Sequence, residues 1–257
     1  MQITGNTILI TGGASGIGRG LAEAFHALGN QVIIAGRRQN LLEETTAANP
    51  GMKSAVLDIE SPEAIQTFAA KLVKDFPTLN TVIHNAGIMR IEDIQAGNVA
   101  DAESIITTNL LGPIRLNAAS LPALLKQPSA AIMTLTSGLA FMPLTLTPTY
   151  CATKAAIHSY TQSLRYQLKD TAIQVLELAP PYVQTGLMGA HQEKDPNAMP
   201  LDEFIAEVMS ILKNSPETTE ILVERVKPMR FAEKNGGFDA FFQNLNDNAA
   251  KAMASRQ

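Results

Sequence analysis

The strongest constraint on the fold is an alternation of short apolar runs with amphipathic stretches that continues through most of the chain. Residues 6–11 are an apolar run that stops at Gly12-Gly13, and residues 17–28 follow with helical spacing before Gly29-Asn30. The pattern then recurs. Strands are predicted at 31–35, 53–57, 81–84, 130–135 and 173–178, and helices at 62–75, 101–125 and 149–169. Strands joined through helices pair in parallel, and right-handed crossovers place those helices on both faces of the sheet. The predicted fold is therefore α/β, a Rossmann-type doubly wound parallel sheet flanked by helices on both faces. Ligands of such sheets gather at the carboxyl ends of the strands, near the point where strand order reverses.

No repeat, low-complexity tract or Pro/Gly/Ser linker divides the 257 residues, so residues 1–257 read as a single domain. Two segments read as additions to its core. At about 186–215, a loop carrying Gly186, Gly189, Pro196 and Pro200 precedes a helical stripe of Leu201, Phe204, Ile205, Val208, Met209 and Leu212, the pattern of a substrate flap. At about 225–257 the chain reads as a variable C-terminal segment. It aligns Phe238, Phe241, Phe242 and Leu245 on one helix face, expected to pack on the core, with a subunit contact as the other reading.

At 46% hydrophobic and 17% charged residues, the chain is too apolar for disorder, and no apolar run is long enough to span a bilayer. The net charge of -4, without runs of like charge, gives no footprint for nucleic acid or an anionic membrane. Four scattered histidines and a lone Cys151 show no metal-ligand spacing and exclude an intrachain disulfide. The first residues lack the zones of a secretory signal. The expectation is a cytoplasmic protein with a small-molecule partner and no metal, nucleic acid or membrane partner.

Between the first strand and helix stands Thr11-Gly12-Gly13-Ala14-Ser15-Gly16-Ile17-Gly18. Glycines let the backbone approach a pyrophosphate, and the free N–H groups at the helix start attract its charge. A Gly-rich turn without a ligand has the same composition, but a Walker loop does not fit, because Arg19 and Gly20 follow Gly18. Tyr150 and Lys154 lie four apart in a predicted helix, on one face and one turn apart. A neighbouring ammonium stabilises a phenolate and lowers the tyrosine pKa from its usual value of about 10 toward the working pH. By spacing alone the pair is equally a surface tyrosine beside a snorkelling lysine.

The glycine spacing TGxxxGxG, followed at a distance by Ser137 and by Tyr150-Cys151-Ala152-Thr153-Lys154, resembles the short-chain dehydrogenase/reductase family in its compact single-domain branch. The resemblance is close over roughly the first 185 residues. It implies a single dinucleotide-binding and catalytic domain that transfers hydride between nicotinamide C4 and a carbonyl carbon, as a carbonyl reductase or alcohol dehydrogenase. It further implies Tyr150 as general acid/base, Ser137 as the group holding the substrate oxygen, and Lys154 on the nicotinamide ribose. Asn109, in Thr107-Thr108-Asn109, matches the fourth catalytic residue, supporting a water-linked proton path to Lys154. Gly12, Ser15, Gly16, Ile17 and Gly18 would form the cofactor turn. His84-Asn85-Ala86-Gly87 is similar to the family's Asn-Asn-Ala-Gly segment, leaving Asn85 and Gly87 on the cofactor cleft. Asp58 would accept from the adenine amino group, although a turn carboxylate is common there. In Ala179-Pro180-Pro181-Tyr182-Val183-Gln184-Thr185 a proline replaces the usual glycine, and Thr185 would contact the nicotinamide amide.

NAD-binding members carry an acidic residue after the second strand, where this chain has Gly36-Arg37-Arg38. Guanidinium groups there pair with a 2′-phosphate, or simply open the next helix. The expected cofactor is NADP(H), with NAD(H) as the alternative. Leu139, Phe141, Met142, Leu144 and Leu146 are expected to wall an apolar pocket, pointing to an apolar or aryl ketone. A homo-oligomer is the expected assembly. The competing readings are a nucleotide-sensing protein without turnover, against which the Ser137–Tyr150–Lys154 set argues, and a lyase or epimerase, against which length and glycine spacing argue.

Overall fold

The computed structural model describes residues 1–254. Its sheet has seven parallel strands in the order β3-β2-β1-β4-β5-β6-β7: β1 (Thr7–Thr11), β2 (Gln31–Gly36), β3 (Lys53–Val56), β4 (Leu79–His84), β5 (Ala130–Leu135), β6 (Ile173–Leu178) and β7 (Glu220–Ile221). Strand order reverses between β1 and β4, so the glycine turn after β1 and the His84-Asn85 step after β4 meet at the switch point where ligands bind.

Both faces of the sheet are covered, and the strand side chains alternate between two cores. Ile8, Ile10, Val32 and Ile34 face α1 (Gly16–Ala27) and α8 (Leu201–Asn214), packing with Leu21, Phe25, Phe204 and Val208. Leu9, Ile33, Val82 and Ile132 face α3 (Pro62–Asp75), α5 (Gly112–Leu124) and α6 (Pro148–Gln167), packing with Ile65, Phe68, Leu116 and Leu164. Phe25 and Phe204 are fully buried, each worth roughly 1.5–3 kcal/mol of transfer free energy. The remaining helices are α2 (Gln39–Ala48), α4 (Ala100–Ile106), α7 (Ala190–Glu193), α9 (Lys227–Arg230) and α10 (Phe238–Ala254). None is long and apolar enough to cross a membrane among the described residues.

Four expectations change. The helix expected at 101–125 is α4 and α5 separated by a π-turn at Thr107–Leu111, which carries Asn109. Only the first half of the expected flap borders the cavity, because α8 buries Phe204, Val208 and Leu212 in the core and packs on α1. Gly20 permits that approach: a Cβ there would lie 2.8 Å from Ile205 Cγ1. The expected core packing of Phe238, Phe241, Phe242 and Leu245 does not occur. α10 buries none of its residues; Phe238 and Phe242 stack on each other, and Asn246 ties the helix to the Pro143 carbonyl and the Thr145 N–H. Finally, the start of the C-terminal segment belongs to the core: Val226 is fully buried, and Met229 closes so tightly on Gly138 that a Cβ there would lie 2.8 Å from its sulfur.

Candidate active site

A cavity of about 690 Å³ runs along the carboxyl ends of β1, β2, β4 and β5, from Arg37 and Arg38 at one end to Ser137, Tyr150 and Lys154 at the other. The glycine turn forms its floor. Gly12 and Gly16 have φ of 66° and 50°, which favour glycine. A Cβ on Gly12 would stand 2.8 Å from Asn85 Nδ2 and 3.0 Å from the Ala86 Cα, and one on Gly18 only 2.3 Å from Asn85 Nδ2. The turn is thus seated directly against the end of β4. Asn85 pins it there by donating to the carbonyls of Thr11 (2.9 Å) and Gly12 (3.1 Å), while the Thr11 hydroxyl accepts from the N–H groups of Asn85 and Ala86.

Gly12, Ser15, Gly16, Ile17, Arg37, Arg38, Asn85, Gly87, Ser137, Tyr150, Lys154 and Thr185 all line the cavity. Gly18, Asn109 and Asp58 do not. Gly18 supports the turn from inside α1. Asp58 is exposed at the end of β3, where its Oδ1 accepts from the Glu60 N–H as a turn carboxylate, and its neighbours Leu57 and Ile59 line the cavity.

Tyr150 and Lys154 are both buried, one turn apart on α6, with Lys154 Nζ 5.5 Å from the phenol ring centre. Lys154 donates to the Leu135 carbonyl at 2.7 Å, which fastens α6 to the end of β5 beside Ser137. Burial brings the Lys154 ammonium down to about 8. Burial also pushes the Tyr150 phenol above its ordinary range, against the opposing hydrogen bond with Ser137. Desolvation of the phenolate thus outweighs the Ser137 hydrogen bond. Asn109 is buried rather than facing solvent. Its amide holds Ile88 at both backbone groups, accepting from the N–H and donating to the carbonyl at 2.9 Å each, and donates to the Thr153 hydroxyl, with no bond to Lys154.

At the far end, Arg38 donates to the Ser15 hydroxyl at 2.8 Å, whereas Arg37 is paired with Glu60 at 3.0 Å. Thr185 is held by the buried Gln192, which donates to its hydroxyl and to the Val183 carbonyl. Of the residues expected to wall an apolar pocket, Leu139 and Leu144 join Ile88 and Leu187 in an apolar cluster around Tyr150 and Cys151, Met142 is fully buried, and Phe141 lies edge-on to His158 under the Arg230 guanidinium. Ile88, Arg90, Leu187, Gln192 and Glu193 line the cavity. Sequence reasoning missed these, and it missed Glu92, whose carboxylate accepts from both the N–H and the hydroxyl of Thr149, next to Tyr150. They sit in loops or, for Gln192 and Glu193, in the four-residue α7, too short to show a period. A Thr at the second position of a helix lacking its own side-chain cap was the one available signal.

Residues 6–196 match the family model described as short chain dehydrogenase. An uncharacterized oxidoreductase, DltE, of Bacillus subtilis (strain 168) is 38% identical over 252 residues, covering 96% of this chain and 98% of that protein. Among solved structures, the closed form of a serine dehydrogenase complexed with NADP+ superposes with a TM-score of 0.75 at 26% identity, covering 83% of this chain and 91% of that one. A Burkholderia phymatum short-chain dehydrogenase/reductase in complex with NAD shares the fold with a TM-score of 0.80 at 18% identity, covering 91% and 95%. With its parallel sheet, its glycine turn seated against β4 and a family match across most of its length, the chain belongs to the short-chain dehydrogenase/reductase family.

Proposed function

We propose that this protein is an NADP(H)-dependent carbonyl reductase, or alcohol dehydrogenase in the reverse direction, with Tyr150 as its general acid/base. The observation that carries the reading is that Ser137, Tyr150 and Lys154 converge on the same cavity as the glycine turn and Arg38, so one elongated ligand reaches from the guanidinium end to the phenol. The cradle fits a dinucleotide: a Cβ at Gly12 would intrude between the turn and β4, and the turn opens α1, whose N-terminus attracts phosphate. Arg38 and Ser15 would hold the 2′-phosphate, Gly16 and Ile17 the pyrophosphate, Lys154 the nicotinamide ribose and Thr185 the carboxamide. Gly36 ends β2 where a carboxylate would be needed for both ribose hydroxyls of NAD(H). The NADP+-bound serine dehydrogenase, at 26% identity, supports the same cofactor.

The nicotinamide, when bound, supplies the hydride. The chain's own residues supply the proton and the alignment. Ser137 orients the carbonyl oxygen toward the phenol, and Tyr150, protonated at neutral pH by its burial, donates to that oxygen as negative charge develops on it. Lys154 supports the phenolate left behind through its ammonium. Asn109 acts by position: by holding Ile88 at both backbone groups it fixes the wall beside the phenol. The segment 186–200 serves as the mobile cover, and the protein works in the cytoplasm as a homo-oligomer.

The test follows nicotinamide absorbance with NADPH and NADH across ketones and aldehydes, beside Tyr150→Phe. The wild type is expected to prefer NADPH, and the variant to lose about 10²- to 10⁴-fold in kcat with NADPH affinity retained. Full activity of Tyr150→Phe would remove the mechanism, and equal use of the two cofactors would remove the NADP(H) assignment.

A further inference from the structure

Between Ile88 and Glu92 the chain is fastened at both ends. Asn109 holds both backbone groups of Ile88, and at the other end the Glu92 carboxylate accepts from the N–H of Thr149 (3.0 Å) and from its hydroxyl (2.6 Å), while the Glu92 N–H donates to the Leu146 carbonyl. Met89 is buried between them. Of this bracket, Ile88 and Arg90 line the cavity, and Arg90, the cation of the two, is exposed. Its guanidinium donates to the Met89 carbonyl at 3.0 Å, and no carboxylate pairs with it among the described residues.

Each cation of the wall has a partner, and among the described residues only that of Arg37 is an anion. Arg37 has Glu60, Arg38 has the Ser15 hydroxyl, and Lys154 has the Leu135 carbonyl. Arg37 and Arg38 follow β2. Arg90 follows β4, which adjoins the β5 strand leading to Ser137, and its loop is tied to the residue before Tyr150. It is thus the guanidinium on the side of the reacting hydroxyls. Glu193 lies beyond β6, on the opposite flank of Ser137, beside Gly186, and has no cationic partner among the described residues. An anionic group entering between the two is drawn toward Arg90 and repelled from Glu193, which sets its direction.

Resting on the carbonyl-reductase reading above, we infer that the substrate is an oxo acid whose carboxylate is held by Arg90. A planar fork of N–H donors on a braced loop matches a carboxylate bidentately, a geometry that a neutral ketone does not use. In the reaction, hydride from the reduced nicotinamide adds to the carbonyl carbon and the Tyr150 proton goes to its oxygen. The cofactor is oxidised, and the oxo acid becomes a hydroxy acid.

The test compares acids with their neutral esters, acetoacetate with ethyl acetoacetate and levulinate with methyl levulinate, in wild type, Arg90→Gln, Arg90→Lys and Glu193→Gln, with NADPH. The wild type is expected to favour the acids. Arg90→Gln should lose about 10- to 100-fold in kcat/KM for the acids, mostly through KM, with little change for the esters or for NADPH affinity. Arg90→Lys should recover part of that loss, and Glu193→Gln should lower KM for the acids. A wild type that favours the esters would overturn the inference, as would an Arg90→Gln effect equal on both classes, a loss of NADPH affinity instead, or a raised acid KM in Glu193→Gln. Reduction of esters with no acid preference leaves the carbonyl-reductase reading standing and removes this one; no reduction of any carbonyl removes both.

Discussion

Replacing Glu92 with alanine tests whether the catalytic helix is positioned from outside its own sequence. α6 begins at Pro148, and its N-cap, Thr147, makes no side-chain capping bond to the helix backbone. The carboxylate of Glu92 does that work, accepting from the Thr149 N–H at 3.0 Å and from the Thr149 hydroxyl at 2.6 Å. A helix cap is worth roughly 0.5–2 kcal/mol, and a hydrogen bond to a charged acceptor about 1.5–3 kcal/mol. Glu92 is half-buried, so part of this is screened, and about 2 kcal/mol is a fair net value. For a chain of this length that lowers Tm by roughly 4–8 °C. Because Tyr150 is the next residue, kcat should fall by about tenfold with NADPH affinity preserved, since small misplacements of a proton donor act on the transition state. Glu92→Gln keeps one acceptor and should recover part of both effects. Thr149→Val removes the same hydroxyl bond, so the double variant should lose less than the sum of the single losses. Thermal unfolding by circular dichroism and steady-state kinetics read these quantities. Additive losses, or a Tm shift within about 1 °C, would refute the cap.

Two further outcomes are expected. Gly18→Ala would place a Cβ 2.3 Å from Asn85 Nδ2 and 2.4 Å from the Gly12 carbonyl, forcing the turn off β4; NADPH Kd by fluorescence titration should rise at least about tenfold, with a stability loss of about 1–3 kcal/mol, and an unchanged Kd would contradict the seating. Lys154 has its folded pKa lowered from 10.5 to about 8 by burial, so the folded state binds the fewer protons between those values and stability rises with pH across that window. Lys154→Met removes a penalty of roughly 3 kcal/mol that is full below pH 8. Its stability gain over wild type should therefore shrink from pH 7.5 toward pH 9.5, as read by urea denaturation; a gap constant with pH would sink this assignment.

How much of this was legible in the sequence follows from what each element has to satisfy. Strands buried on both faces are apolar over most of their length, so β5 and β6, despite Thr134, Gln174 and Glu177, have the bounds that their apolar runs imply. β7 is a strand of only two residues, an edge whose chain turns away at Val223 into the buried Val226. Helical periodicity does not distinguish an α-helix from one interrupted by a π-turn, so the break that buries Asn109 was invisible, although Asn109 itself was visible through its motif. For α10, the stripe from Phe238 to Leu245 states that a face needs cover and not what covers it. Arg90 and Glu92 belong to a loop, whose conformation is set by distant partners such as Thr149 and Asn109 rather than by spacing, and Glu193 ends the four-residue α7, too short to show a period.

The placement of charge explains why these particular residues sit together. Buried Glu177 on β6 is close to Ser137 in space through Thr136, yet its carboxylate is taken up by His158 and by the Thr136 hydroxyl. Lys154 is left with a carbonyl as its partner, and Arg38 and Arg90 with a hydroxyl and a carbonyl. Burying the Lys154 cation without an anion costs free energy, visible in its lowered pKa, whereas Arg38 and Arg90 are exposed. Such an arrangement is stable only within a strongly packed frame, which the two cores flanking the sheet provide. On the functions proposed above, these cations would meet a phosphate at the β2 end, a developing oxyanion beside Lys154 and a carboxylate at Arg90. Pairing Arg37 with Glu60 marks the difference, since that guanidinium must exchange an existing partner before it can bind another, whereas Arg38 and Arg90 need only give up neutral ones.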